Sequence, residues 1–575
     1  MMNAVQNTPS PKIPEQNKRS LVVIECGSVW TKAFLFGPSE GRFHVLARAE
    51  TYSTYGAPFY NIIAGARAAL HDITTKTGRQ FIDHGLPIIP ENEFGDGVDG
   101  IAVVISGAIN VRLTLTGPGV LQIKNRIASA GLNLPVEITT YDSAKLAEIM
   151  SGLSIWNPHG VLIATSVDRP MTPEEQQLLD TQLKMLQNIF EVTPYRPVVI
   201  LLGFQEDAMK IRVAFPNLEF TFINTRNSIH QPLHESILSI YENKVLAGMN
   251  GYANIRSWVA AAPISEISSL GRITRFIAQR YEMNTLVVSV GATSAIAAYA
   301  TSSGALIAKN KPLSGVRIGA GAVLRKESPQ QLVNFLSEEK TSEEMAEAAL
   351  RRMLHPWTVP AEQEDLEMDH ALAVGAARGI VREIGAEAQY ADIIIGSGGV
   401  FAHVPTYAEA ALMLIDAARP TGVTNLLLDR ANMFAALGGA SLLDRLAAAD
   451  IVDIDVFVIQ LGVCVTASGT PPAGTPAVEA HIEYEDGHVF SASAPEGSMT
   501  KLPLGHGQRG YLTLKPAPGV DVGQGPGKAA RTENPIEGGY VGVIIDTRGQ
   551  KQENPTDALD YIAQRKIWLQ TLAAQ

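Results

Sequence analysis

The stretch Leu21–Phe36, LVVIECGSVWTKAFLF, constrains this chain more than any other. An apolar, β-rich run (Leu21 to Ile24) meets a turn of small residues, Cys26, Gly27 and Ser28. Thr31 and Lys32 follow, and Ala33 to Phe36 return as a second apolar run. The pattern predicts two strands and a tight turn. Gly27 allows close approach of backbone, and successive N–H groups in such a turn form a concave anion site. Ser28 and Thr31 add hydroxyls there, and Lys32 adds positive charge. Leu286–Val290, Gly291-Ala292-Thr293-Ser294 and Ala295–Ala300 repeat the arrangement. Two such hairpins read either as an internal duplication of a βββαβ-type fold or as chance recurrence of a common hairpin.

At 575 residues the chain exceeds the roughly 250–300 residues at which single cores stop growing. Strands and helices alternate through the first three quarters: Gly100–Ser106, Val136–Thr140, Gly160–Ala164, Pro197–Leu202 and Glu219–Ile223 read as strands between helical stretches. Thr172-Pro173-Glu174-Glu175 and Thr341 with Glu344 are helix-start patterns. Ile264–Tyr281 reads as one long helix, and so does Asn432–Ala449, in which Gly438-Gly439 permits close packing or a break. From about Val452, turn signals recur every 8–12 residues or so, the sign of an all-β module. The Lys/Arg to Asp/Glu balance gives a net charge of -12, without the clustered Lys/Arg of a nucleic-acid footprint. Cys26 and Cys464 are the two cysteines, too few for a disulfide framework or a Cys-rich zinc site. That suits a reducing cytoplasm. The polar start lacks an apolar signal-peptide region, and no run of about 18 apolar residues predicts a membrane helix. A cytoplasmic protein with no membrane and no nucleic-acid partner is expected.

A third small-residue turn, Gly396-Ser397-Gly398-Gly399, follows the strand Ile393–Ile395. Three such turns in this order resemble the first phosphate loop, second phosphate loop and adenosine loop of the actin/Hsp70/sugar-kinase ATPases. More narrowly, IIIGSGGVFAHVP, ALMLIDAARPTGVTNLLLDR, FAALGGAS, the Trp30-Thr31-Lys32-Ala33 run, His355-Pro356-Trp357 and GGYVGVIIDTRG resemble the MutL/GlmL family. Those are accessory proteins linked to adenosylcobalamin-dependent glutamate (methylaspartate) mutase. The resemblance implies duplicated actin-like (ribonuclease H-like) α/β domains with a C-terminal all-β module. The division expected is a disordered tail over 1–19, ATPase halves over 20–265 and 266–450, a β module over 451–555 and a terminal helix over 556–575.

It also implies an ATP site with Mg²⁺, holding nucleotide through Gly27, Ser28, Thr31, Lys32, Gly291, Ala292, Thr293, Gly396, Ser397, Gly398 and Gly399. Glu25 stands where that superfamily has Asp, and would act catalytically and on the metal through water. Ser289 replaces the first Asp of the second loop, one Gly is missing, and Ala295 or Ile296 stands at the closing Asp. With carboxylates lost from the second loop, impaired hydrolysis is expected, because phosphoryl transfer depends on metal and water positioning. The implied role is chaperone-like support of a cobalamin-dependent mutase. The alternatives are a non-hydrolysing scaffold, pairing for instance with an active paralogue, and an actin-like structural component. Asp546-Thr547-Arg548-Gly549 reads either as a partner contact or as a turn after an edge strand. His355, His403 and His506 are isolated in sequence, and no zinc site is expected.

Overall fold

The computed structural model describes residues 20–574 except 107–109, 131–135, 142–144, 146–147, 150–152, 154–155, 166, 168, 193–195, 328, 337, 455–457 and 550–557. The tail expected over 1–19, Gly107 and Ala108 of the turn after the Gly100 strand, and the first residues of the terminal helix from 556 lie outside the described residues. The chain divides into two compact units, Met1–Gly107 with Asn254–Gln575, and Ala108–Ala253.

The first unit holds two sheets of the same design. In one, β1 (Leu21–Cys26), β2 (Trp30–Ser39) and β3 (Arg42–Tyr52) form an antiparallel meander. β4 (Gly100–Ile105) then adds parallel to β1, and β5 (Ile264–Ser265) parallel to β4. In the other, β6 (Thr285–Val290), β7 (Ala295–Ala300) and β8 (Leu306–Lys311) form the meander. β9 (Ile393–Ser397) is parallel to β6 and β10 (Gly422–Asp429) parallel to β9. Order and sense match strand for strand, which decides between duplication and chance recurrence in favour of duplication. The central strands are buried on both faces and are correspondingly rich in Val, Ile and Leu.

Each half continues from its last strand into a helix, α1 (Glu266–Tyr281) after β5 and α2 (Phe434–Ala440) after β10. The two helices pack together at Gly438, where a Cβ would lie 2.0 Å from the Ser269 carbonyl oxygen. The Ser269 hydroxyl donates to the Ala435 carbonyl at 2.5 Å. Gly438-Gly439 therefore serves close packing. The helix expected over Asn432–Ala449 is two helices, α2 and Arg445–Ile454, with a turn between them.

Beyond β10 the second sheet grows by β11 (Val458–Thr466, antiparallel), β12 (Gly542–Asp546, parallel to β11) and the edge strand Met499–Leu502. Opposite Leu426/Leu427 the β10–β11 register shifts, which changes which side chains face which way. Ile459, Leu461 and Cys464 join the helix-covered core, while Val463 and Val465 face the C-terminal strands. Those strands, chiefly Val478–Tyr484, Val489–Ala494 and Arg509–Pro516, form a separate antiparallel sheet. The C-terminal region is thus β-rich, as expected, and its core includes residues of the extended second sheet. The terminal helix Ala558–Ala573 buries Ile562, Trp568 and Leu572 against the helical face.

The second unit is a five-stranded, all-parallel sheet in the order Thr221–Asn224, Val198–Gly203, Gly160–Ala164, Val111–Thr116, Val136–Thr140. Numbered along the chain this is 2-1-3-4-5, the order of doubly wound α/β domains. Its residues fall between β4 and β5 in the chain.

Candidate cleft in the first unit

The antiparallel register places Glu25 directly opposite Lys32, on one face of the β1–β2 hairpin. The Lys32 ammonium lies 2.8 Å from Glu25 Oε1, and both side chains are almost completely buried. Lys32 Nζ also donates to the Asn432 carbonyl at 3.3 Å, so this lysine of the first half reaches the loop after β10 in the second. Glu25 Oε2 is buried and has no hydrogen-bond partner among the described residues. Thr31 alternates to the opposite face. There it is buried, and its hydroxyl packs where a Cβ on Gly65 would stand 2.8 Å away.

The two hairpin turns close in the same way. Gly27 N–H donates to the Trp30 carbonyl at 3.0 Å, and Gly291 N–H to the Ser294 carbonyl at 2.9 Å. The Ser28 and Thr293 hydroxyls meet at 2.6 Å, joining the two loops directly. The N–H groups of Ser28, Val29, Ala292 and Thr293 donate to no backbone carbonyl among the described residues. The carbonyls of Gly291 and Ala292 are held by the N–H groups of Val316 and Arg317, at 3.1 and 2.9 Å, so the loop keeps its amides for another acceptor. The third turn abuts the second. Gly398 has φ 90°, and a Cβ there would fall 2.3 Å from the Val290 carbonyl oxygen; only glycine satisfies both conditions. Ser397 donates to Asp429 at 2.8 Å, and Asp429 also accepts from the N–H groups of Met433 and Phe434. Gly396 packs toward Phe401 and Leu414, while Gly399 has open space around its Cβ position.

Sequence reasoning missed Glu266. The structure starts α1 there, after the two-residue strand Ile264–Ser265, with Ser265 as N-cap. A carboxylate in the first turn is favoured by the helix dipole. Its carboxyl takes hydrogen bonds from the Ser106 and Ser289 hydroxyls. Burial first, and the charge of Glu25 second, push it up to about 7. A carboxyl from the neighbouring helix therefore lies against Ser289, the position where the second loop has no carboxylate of its own. The signal available in sequence was the N-cap pattern Ser265-Glu266, which was hidden inside an apparently continuous helix.

Cys26, between Glu25 and Gly27, is buried, and burial with the Glu25 charge pushes its thiol up to about 12; it is a packing residue. Arg548 is buried too. It pairs with Asp546 and with Asp416 at 2.9 Å and stacks on Trp568, so Asp546–Arg548 braces the interior. His230 and His234 stand four apart on the helix His230–Ile240 of the second unit. Among the described residues no three His, Cys, Asp or Glu side chains gather into a group that would hold a metal ion, and no helix is long and apolar enough to cross a membrane.

Comparison with known proteins places a family model described as "MutL protein" on residues 223–456. No curated protein sequence matches the chain. Among solved structures, a nucleotide-free acetone carboxylase is similar over 83% of this chain and 81% of its own, at 10% identity and TM-score 0.34. The activator of 2-hydroxyisocaproyl-CoA dehydratase from Clostridium difficile with bound ADPNP covers 75% and 96%, at 9% identity and TM-score 0.27. A glycerol dehydratase reactivase covers 74% and 100%, at 10% identity and TM-score 0.29. The matched segment runs from the last strand of the second unit through both helices and strands that carry Glu266, the second loop and the third turn. On a duplicated α/β scaffold, residues 223–456 of this chain match the MutL family model.

Proposed function

We propose that this protein is an accessory, chaperone-like partner of an adenosylcobalamin-dependent mutase, which binds ATP between its two hairpin loops and hydrolyses it poorly. The reading is supported by the MutL-family segment and by one observation above all: Lys32 is held by Glu25 within 2.8 Å in a buried pair. A lysine so engaged neutralises a carboxylate instead of standing free toward a phosphate. The free amides of both loops suit phosphate oxygens. The unpartnered Glu25 Oε2 fits the water shell of Mg²⁺, which is commonly held by one or two carboxylates plus the nucleotide's own phosphates. Such a metal ion would neutralise phosphate charge. Glu25 and Glu266 would orient its waters, and the loop amides would hold the oxygens. With Glu266 raised toward neutrality and Glu25 paired to Lys32, little carboxylate charge is left for a metal ion, which supports the reading of poor hydrolysis.

Calorimetric titration of the full chain with ATP, with and without Mg²⁺, tests this. Saturable binding with turnover far below a typical kcat of about 1–100 s⁻¹ for phosphoryl transfer is expected. Lys32→Ala, which leaves the buried Glu25 carboxylate unpaired beside the loops, should weaken binding. No binding at millimolar ATP would leave the scaffold role and remove the nucleotide.

A further inference from the structure

Away from that cleft, a cavity of about 240 Å³ opens between the helices Gln363–Ile384, Tyr407–Ala418 and Ala558–Ala573, beside Phe335. His370 and Arg565 line it and are 2% and 6% exposed. His370 Nε2 and Arg565 Nε are buried with no hydrogen-bond partner among the described residues. Leaving a guanidinium N–H unmet in the interior is costly. Lys566 brings an ammonium to the same wall. Behind Phe335, the Arg378 guanidinium stacks over the ring at 4.9 Å, and its own Nε is buried without an acceptor. The two acids of the lining hold donors from their own helices. Glu409 takes the Thr406 hydroxyl at 2.9 Å, and Glu367 takes the Gln363 amide at 3.1 Å. The cavity thus sets two cations, Arg565 and Lys566, against two carboxylates already engaged by other donors; burial and the Arg565 charge push His370 down to about 4, leaving a neutral imidazole, and the buried Arg565 N–H faces no acceptor.

We propose that this cavity binds a small oxyanion, a carboxylate or a phosphate group, with Arg565 as its principal donor and His370 and Lys566 beside it. Paired oxygens are what a guanidinium fork matches best. The volume lies below the 300 Å³ or so at which drug-sized pockets begin, so the ligand is compact and smaller than a nucleotide. Phe335 and Leu569 supply apolar wall for a short carbon chain.

The test is calorimetric titration of the full chain with two probes, inorganic phosphate and succinate. Saturable binding of one of them is expected, and its identity distinguishes phosphate from carboxylate recognition. Arg565→Gln should weaken it about tenfold or more, as loss of a charge-assisted hydrogen bond does. Lys566→Gln, on the exposed part of the same helix, should weaken it without lowering the melting temperature, and it decides the matter if Arg565→Gln fails to fold. Saturable binding of neither probe, or wild-type affinity in every folded variant of the wall, overturns the proposal.

Discussion

Glu266→Gln isolates the electrostatics of the cleft. Burial and the neighbouring Glu25 carboxylate raise Glu266 from an ordinary 4.5 to about 7. Between those values the folded chain keeps a proton that the unfolded chain has released. Stability from this group is therefore complete below about pH 4.5 and is lost as pH rises through about 7. A tenfold change in proton affinity is worth about 1.4 kcal/mol, so the whole window amounts to about 3 kcal/mol. Glutamine keeps the shape and removes the titration. The variant should fall behind wild type less and less as pH rises from 5 to 8, a relative gain of about 3 kcal/mol across the window. The chain is too large for a single two-state free energy. The readout is the midpoint of the first unit's transition in scanning calorimetry, stepped through pH. A relative change of a few degrees is expected, since about 2 °C per kcal/mol is typical of large domains. Glu25→Gln should move the wild-type inflection down toward the ordinary carboxyl range. Parallel wild-type and Glu266→Gln profiles would refute the assignment of a raised Glu266.

Gly438→Ala would drive a methyl to 2.0 Å from the Ser269 carbonyl. A loss of about 1–3 kcal/mol, typical of overpacking, should appear as a lower thermal midpoint, and an unchanged midpoint would mean the two helices separate freely. Asp416→Asn leaves Arg548, 4% exposed, with half of its counter-charge. Breaking a buried pair costs about 3–5 kcal/mol, so denaturant titration should show an early transition. A transition coincident with wild type would show that Asp546 alone suffices for Arg548.

Much of the first unit was legible because its signals are local. A β-rich run, a glycine turn and a second apolar run define each hairpin within sixteen residues, and the recurrence of the pattern raised duplication beside chance, which the matching strand order then decided. The capping box at Thr341 and Glu344 formed as its residues suggest. What stayed hidden depends on contacts between distant residues. Glu266 meets Glu25 only because β5 joins β4 in register. The strands at 136–224 read as generic alternation, since nothing in one strand says which sheet it will enter, and the strand Val111–Thr116 was missed. Arg548 looked like a turn residue because its partner Asp416 lies on a helix far back in the chain. Thr31 follows the hairpin pattern, yet the alternation of β2 turns its hydroxyl away from Lys32's face.

The position of the parallel-sheet unit has a consequence for how the chain acquires its structure. β4 ends at Ile105 and its parallel neighbour β5 begins at Ile264, so a ribosome must emit the whole of residues 106–263 before the first sheet gains its last strand. Until then the end of β4, Val104 and Ile105, lacks its parallel partner, an edge open to unwanted association. The intervening sheet is built from neighbouring segments and can close while synthesis continues. A truncation after residue 253 should therefore expose β4 and aggregate, which ties the maturation of the Glu25–Glu266 cleft to the folding of a unit that contributes neither residue.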